Sequence, residues 1–150
     1  MTAATPFLKS EERLGPLDSR YVAVDSLPWK PTPCAGIDMK ILLEDKESGL
    51  MTALFRWQPG AELALHEHVE VEQTFVIEGS LVDDEGEVTA GNYVWRPKGN
   101  RHTARSPHGA LVLSMFLKPN IFLTGENEGR QLRRGDYDGW SAAKPLFYSQ

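Results

Sequence analysis

The sequence holds a single cysteine, Cys34, in 150 residues. One thiol allows no intramolecular disulfide and no cysteine-built zinc cluster, so any metal must be held by nitrogen and oxygen. The ordinary expectation for Cys34 is a small, partly buried packing residue. No apolar run approaches the roughly 20 residues that cross a bilayer as a helix. No cluster of Lys and Arg is present and the net charge is −5, which argues against nucleic acid as a partner because phosphate binding needs clustered cations. The opening residues, MTAATPFLKSEERLG, lack the apolar centre of a secretion signal. A soluble, cytoplasmic protein with no membrane partner is the expectation. There is no P-loop, nucleotide fingerprint or Ser–His–Asp pattern, so nothing supports nucleotide-dependent or covalent hydrolytic chemistry.

What is present is a chain of one-domain size with 41% hydrophobic and 25% charged residues, ordinary for a globular protein. Its pattern is one of short strands. Tyr21–Asp25 is read as an edge strand, and the proline-rich Leu27–Pro33 as a stiff extended segment. Ile37–Glu44 has strand character, and Asp45–Gly49 a turn. Met51, Ala53, Phe55 and Trp57 then alternate with Thr52, Arg56 and Gln58 at period two. Further strands are expected at Glu72–Ile77, Ser80–Val82, Glu87–Ala90 and Gly91–Arg96. Ala110–Leu117, apolar almost throughout, reads as a strand buried on both faces. Turn signals every eight to twelve residues without a helical period point to an all-β barrel or sandwich. Residues 1–19 read as a polar N-terminal arm and 20–118 as the barrel. Residues 119–150 form a C-terminal extension whose aromatics (Phe122, Tyr137, Trp140, Phe147, Tyr148) suggest packing on the barrel or on a partner subunit.

The chemistry is concentrated in three histidines and a glutamate. His66 and His68 are two apart, which on a helix would separate them but on a strand puts both on one face with a repeat of about 6.6 Å. Glu72 would return to that face if the strand ran without a bulge. His102 follows the turn Pro97-Lys98-Gly99 and suits a neighbouring antiparallel strand. A mixed N/O set of this kind fits one divalent transition ion better than Ca(II) or Mg(II). His108, in the turn Pro107-His108-Gly109, matches no pattern and is expected at the surface.

These residues carry a resemblance to the cupins. Gly60 to Gly79 reads G-AELAL-H-E-H-VEV-E-QTFVIE-G, which matches the first cupin motif at every fixed position. Gly91 to Ser106 reads G-NYVWR-P-K-G-NR-H-TAR-S and matches the second up to its final Asn, here Ser106. The resemblance implies an all-β single-domain cupin barrel (a double-stranded β-helix, or jelly roll) with His66, His68, Glu72 and His102 as metal ligands. Within the cupins the sequence is similar to ChrR-type domains, and its continuation MFLKPNIFLTG to small diketone- and dihydroxyacetophenone-cleaving dioxygenases. That likeness implies a non-haem Fe(II) dioxygenase acting on a small-molecule diketone or hydroxyaryl ketone, with Zn, Mn, Ni or Co as other candidate ions. The alternative it implies is a zinc-binding, ligand-sensing module without catalysis. Some of those dioxygenases hold iron with three histidines alone, which leaves Glu72 as either a ligand or a neighbour of one. The candidate substrate-lining residues are Phe55, Trp57, Thr74, Val76, Trp95 and Met115. A homodimer is expected, since an N-terminal arm and an aromatic tail can cover an exposed edge.

Overall fold

The computed structural model describes residues 16–130 apart from position 18. The arm ahead of residue 16 and the tail aromatics Tyr137, Trp140, Phe147 and Tyr148 lie outside the described residues.

Among the described residues, ten strands form two antiparallel sheets curled against each other: β1 Lys30–Pro31, β2 Ile37–Glu44, β3 Met51–Trp57, β4 Ala61–Glu67, β5 Glu72–Val82, β6 Glu87–Thr89, β7 Tyr93–Arg96, β8 Arg101–Ser106, β9 Ala110–Phe116 and β10 Ile121–Phe122. One sheet runs β1-β2-β3-β9-β5 with β7 beyond β5, and the other joins β5, β8, β4 and β10, with β6 also on β5. Strand β5 therefore belongs to both. Among the described residues no helix is long and apolar enough to cross a membrane.

Alternation decides which side chains face inward. In β3 Met51, Ala53, Phe55 and Trp57 are buried, and in β9 Ala110, Val112, Ser114 and Phe116. Together with Ile37, Met39, Val76 and Ala104 they form one core between the sheets, as expected when each sheet has one apolar face. Strand β5 runs through the expected break at Glu78-Gly79 as a single element. A bulge between Val76 and Glu78 shifts its register on β9. There Gly79 takes φ +72°, and a Cβ added to it would overlap the Gly109 carbonyl oxygen. Only glycine fits this crossing.

Two strand expectations need correction. Tyr21–Asp25 is not a strand: Val24–Ser26 forms a 3₁₀ turn, because the Ser26 hydroxyl donates back to the Ala23 carbonyl (2.7 Å) and so supports a local turn. Strand β9 is not buried on both faces. Leu111, Leu113 and Met115 are only half-buried on the outer side, and Leu117, past its end, is exposed. An antiparallel strand in a two-sheet barrel needs only one covered face. Within the proline-rich stretch, which bends at Leu27 and at Pro33, Lys30–Pro31 pairs as the edge strand β1, where Pro31 is tolerated. Trp29 beside it lies under the Lys40 ammonium (4.9 Å) and the Arg56 guanidinium (4.3 Å), a cation–π cover for that edge.

Candidate metal centre

His66 lies in β4 directly opposite His102 of β8, and Phe122 of β10 pairs with His66 from the other side. His68 falls one residue beyond β4. Its backbone is fixed by two hydrogen bonds to the Gly99-Asn100 turn, from His68 N–H to Asn100 O (2.9 Å) and from Gly99 N–H to His68 O (2.7 Å). The second-motif turn thus pins the second histidine of the first motif. The three rings are buried, with centroids 4.5–5.0 Å apart, and one nitrogen from each lies within 4.8 Å of the others. The expected gathering of His66, His68 and His102 is what the fold produces.

The hydrogen bonds settle which nitrogens are free. His66 Nδ1 lies 2.8 Å from the Ala64 carbonyl oxygen, and His102 Nδ1 3.0 Å from Asp83 Oδ2. A carbonyl and a carboxylate only accept, so both Nδ1 atoms carry the proton and both Nε2 atoms present a lone pair. The Nε2 atoms of His68 and His102 are 2.9 Å apart. Burial pushes the pKa of both His66 and His102 down to about 4, so both rings are neutral at pH 7, the form that binds metal.

Glu72 opens β5 beside this cluster without joining its three-nitrogen group. Its Oε2 lies 2.8 Å from His68 Nδ1, but off the N–H axis, leaving that buried nitrogen without a well-formed hydrogen bond. Thr74 Oγ donates to Glu72 Oε1 (3.0 Å) and Asn120 Nδ2 to Oε2 (3.3 Å), while Ser114 Oγ lies 2.8 Å from Thr74 Oγ. Burial alone would raise the Glu72 pKa, but the His68 contact, the neighbouring His66 and the Thr74 bond outweigh it and bring it to about 2. The residues fit a divalent ion: three converging imidazoles, an ionised carboxylate, and a buried imidazole nitrogen left without a proper partner.

The cluster opens on a cavity of about 60 Å³ between the sheets. Phe55, Trp57 and Thr74, expected as lining, do line it, with Leu63, Val112 and Phe116 adding to an apolar wall. Val76, Trp95 and Met115 do not. Val76 is fully buried within the core. In β7, Val94 and Arg96 face the cavity, while Trp95 pairs with Gln73 on the outer surface and is 59% exposed. Met115 shares that outer row, opposite Gln73 and Thr52. All three are expected to share the ligand face or to point inward; the pleat turns Trp95 and Met115 to the outer face, while Val76 does point inward but is packed into the core. Cys34 lines the cavity as a free thiol, and burial pushes its pKa up to about 11, so it stays protonated and unreactive.

Sequence reasoning missed Asp83, Arg96, Asn120 and Phe122. The first belongs to a turn, Asp83-Asp84-Glu85-Gly86, whose Asp oxygen accepts the N–H groups of Glu85 (2.8 Å) and Gly86 (3.0 Å). That turn chemistry was readable, but its proximity to His102 was not. Ser106, standing where the motif has Asn, is buried and donates to the Ser80 carbonyl (2.8 Å), tying β8 to β5.

The family model for the ChrR cupin-like domain matches residues 18–120. The chain belongs to this family. The two sheets are accordingly the barrel of a single-domain cupin, and the three histidines the divalent-metal site of a metal-binding cupin. Among solved structures, this cupin resembles a candidate acetylacetone dioxygenase from Methylibium petroleiphilum PM1 (28% identity over 91% of this chain and 99% of that one, TM-score 0.73). An acetylacetone dioxygenase from Acinetobacter johnsonii shares its fold at 20% identity, over 96% of this chain and 100% of the other (TM-score 0.67). So does the anti-sigma factor ChrR, solved with SigE from Rhodobacter sphaeroides, at 20% identity, covering 62% of this chain and 51% of that one (TM-score 0.54). No curated protein sequence matches it.

Proposed function

We propose that this cupin is a non-haem Fe(II) dioxygenase that cleaves a small β-diketone or hydroxyaryl ketone. His66, His68 and His102 supply the metal ligands, with Glu72 beside them as a fourth ligand or as a partner of His68. The observation that carries this reading is the pairing of a buried three-histidine cluster with a narrow apolar cavity. A void of about 60 Å³ has room for roughly four to six waters, which suits a ligand of a few heavy atoms. Likeness along nearly the full chain to a candidate acetylacetone dioxygenase supports the substrate class.

A ferrous ion in the site would supply Lewis acidity toward chelating oxygens and a redox partner for O2. The chain's own contributions are separate from that. Phe55, Trp57, Val112 and Phe116 exclude water and accept the apolar part of a ligand. Glu72, ionised and held by Thr74 and Asn120, keeps a fixed negative charge beside His68.

The test is oxygen uptake by protein reconstituted anaerobically with Fe(II), against a panel of β-diketones and hydroxyacetophenones, with Zn(II)-loaded protein as control. Turnover with iron and none with zinc is expected. Stoichiometric iron without uptake on any substrate would overturn the dioxygenase reading. It would favour instead a zinc-holding, ligand-sensing module, which the ChrR cupin-like match also supports.

A further inference from the structure

Asp83 ends its side chain in a buried position between three strands. Its side chain is 5% exposed, and its carboxylate has every acceptor direction filled. Oδ1 accepts the backbone N–H groups of Glu85 (2.8 Å) and Gly86 (3.0 Å). Oδ2 accepts Arg96 Nη2 (2.7 Å) and His102 Nδ1 (3.0 Å). Arg96, only 11% exposed and itself part of the cavity wall, is tied outward to Glu85 (3.5 Å). A carboxylate so committed has no lone pair left for a ligand or an ion. Its work must be done through His102.

We propose that Asp83, clamped by Arg96, is a positioning residue that locks His102 as the Nδ1–H tautomer and thereby reserves its Nε2 for the metal. Three strands meet in this device: Asp83 follows β5, Arg96 ends β7 and His102 lies in β8. Arg96 fixes the carboxylate laterally while the turn N–H groups fix it from behind, so the imidazole sees one acceptor in one place. Carboxylates of this kind orient and tune metal-binding histidines, and losing one costs about 10–100-fold in metal affinity. The metal half of the proposal rests on the three-histidine reading; the tautomer half does not.

The decisive variant is Asp83→Asn. The two turn N–H groups keep the amide oxygen, so the amide NH2 faces Arg96 and His102, and His102 Nδ1 must now accept. ¹⁵N NMR of the imidazoles in metal-free protein at pH 7.5 is expected to show His102 changing from Nδ1–H to Nε2–H, with His66 unchanged. Chelator competition with Co(II) and Zn(II) is expected to show a 10–100-fold weaker site, with the far-UV spectrum of the parent. Retention of the Nδ1–H tautomer in the variant would overturn the proposal, even if affinity fell, because the residue would then be merely structural. Metal binding within twofold of the parent would overturn it too. If the parent binds neither ion while the variant still switches tautomer, the metal reading fails and the lock stands. Should Asp83→Asn not fold, Arg96→Met loosens the clamp without touching the Asp83–His102 bond. A several-fold loss of affinity and a broadened Nδ1–H signal are then expected, and a parent-like spectrum and affinity would refute the lock.

Discussion

Replacing Phe122 by alanine isolates how the segment after β9 serves the metal centre. Phe122 is 1% exposed, pairs with His66 across the β10–β4 ladder, and holds its ring 6.0 Å from that imidazole. Around it the chain closes on itself: Gly129 N–H donates to Phe122 O (2.8 Å), Phe122 N–H to Arg130 O (3.0 Å) and Leu123 N–H to Leu65 O (2.8 Å). The ring belongs to no part of the main core cluster, so its burial mainly holds residues 119–130 to β4. Full burial of an aromatic side chain, with the cavity its loss leaves, is worth about 3 kcal/mol. Because this segment can open without unfolding the barrel, that energy should appear as local opening. At about 1.4 kcal/mol per decade, the Leu123 amide should exchange with solvent on the order of 100-fold faster in Phe122→Ala. The Val112 amide, deep in β9, should keep its rate. Hydrogen exchange by NMR on metal-free protein reads both. A change below about fivefold at Leu123, or equal acceleration at Val112, would refute the picture of a separately anchored flap.

Three further outcomes are expected. His66 and His102 have folded pKa values near 4 against 6.5 unfolded, so below pH 6.5 the unfolded chain binds protons the folded one refuses. Metal-free protein should lose about 2 kcal/mol per histidine between pH 7.5 and 5, flattening below 4, where loss of the Glu72 contribution takes over; a urea midpoint unchanged over that range would contradict it. Gly79→Ala should cost more than about 2 kcal/mol, since its positive φ and the Gly109 carbonyl both oppose a Cβ. Gly86→Ala, with open space around it, should stay within about 0.5 kcal/mol, and equal denaturation midpoints for the two would refute the steric argument. Trp95, Tyr93, Phe75 and Ile77 lie exposed on neighbouring strands, and we propose this row as the contact of the expected homodimer. Light scattering should show a dimer that Trp95→Glu shifts to monomer; a monomeric parent would end that proposal.

The histidine cluster was legible because strand alternation and turn spacing are local: His66, His68 and His102 needed only a strand, a turn and a neighbouring strand. Strands β2 and β3 were legible for the same reason, with Ile37–Glu44 and Met51–Trp57 both bounded by clear turns. Illegible were the features that depend on which residue faces which across a ladder. Nothing in the stretch GNYVWR says that Val94 rather than Trp95 points inward, because the pairing of Thr74 with Val94 is settled between strands. Nor does Asp83-Asp84-Glu85-Gly86 reveal that its first carboxylate reaches an imidazole. The Tyr21–Asp25 misreading arose where β propensity met a serine able to close a turn on its own backbone.

The bulge in β5 has a consequence for how this chain tolerates change in length. Before it, the even-numbered Glu72 and Thr74 look into the cavity; after it, the odd-numbered Leu81 does, and Asp83 reaches His102 on the same phase. The one unpaired residue absorbs the change of phase, so that the two ends of the strand serve the same interior. Deleting Ile77, the extra residue, would remove the bulge and the phase change together, so that Leu81 and Asp83 would keep the inward phase they have now. The strand can thus lose a residue at this one place without changing what it presents, whereas a residue lost between the bulge and Asp83 would turn that carboxylate away from His102 while the rest of the barrel stood.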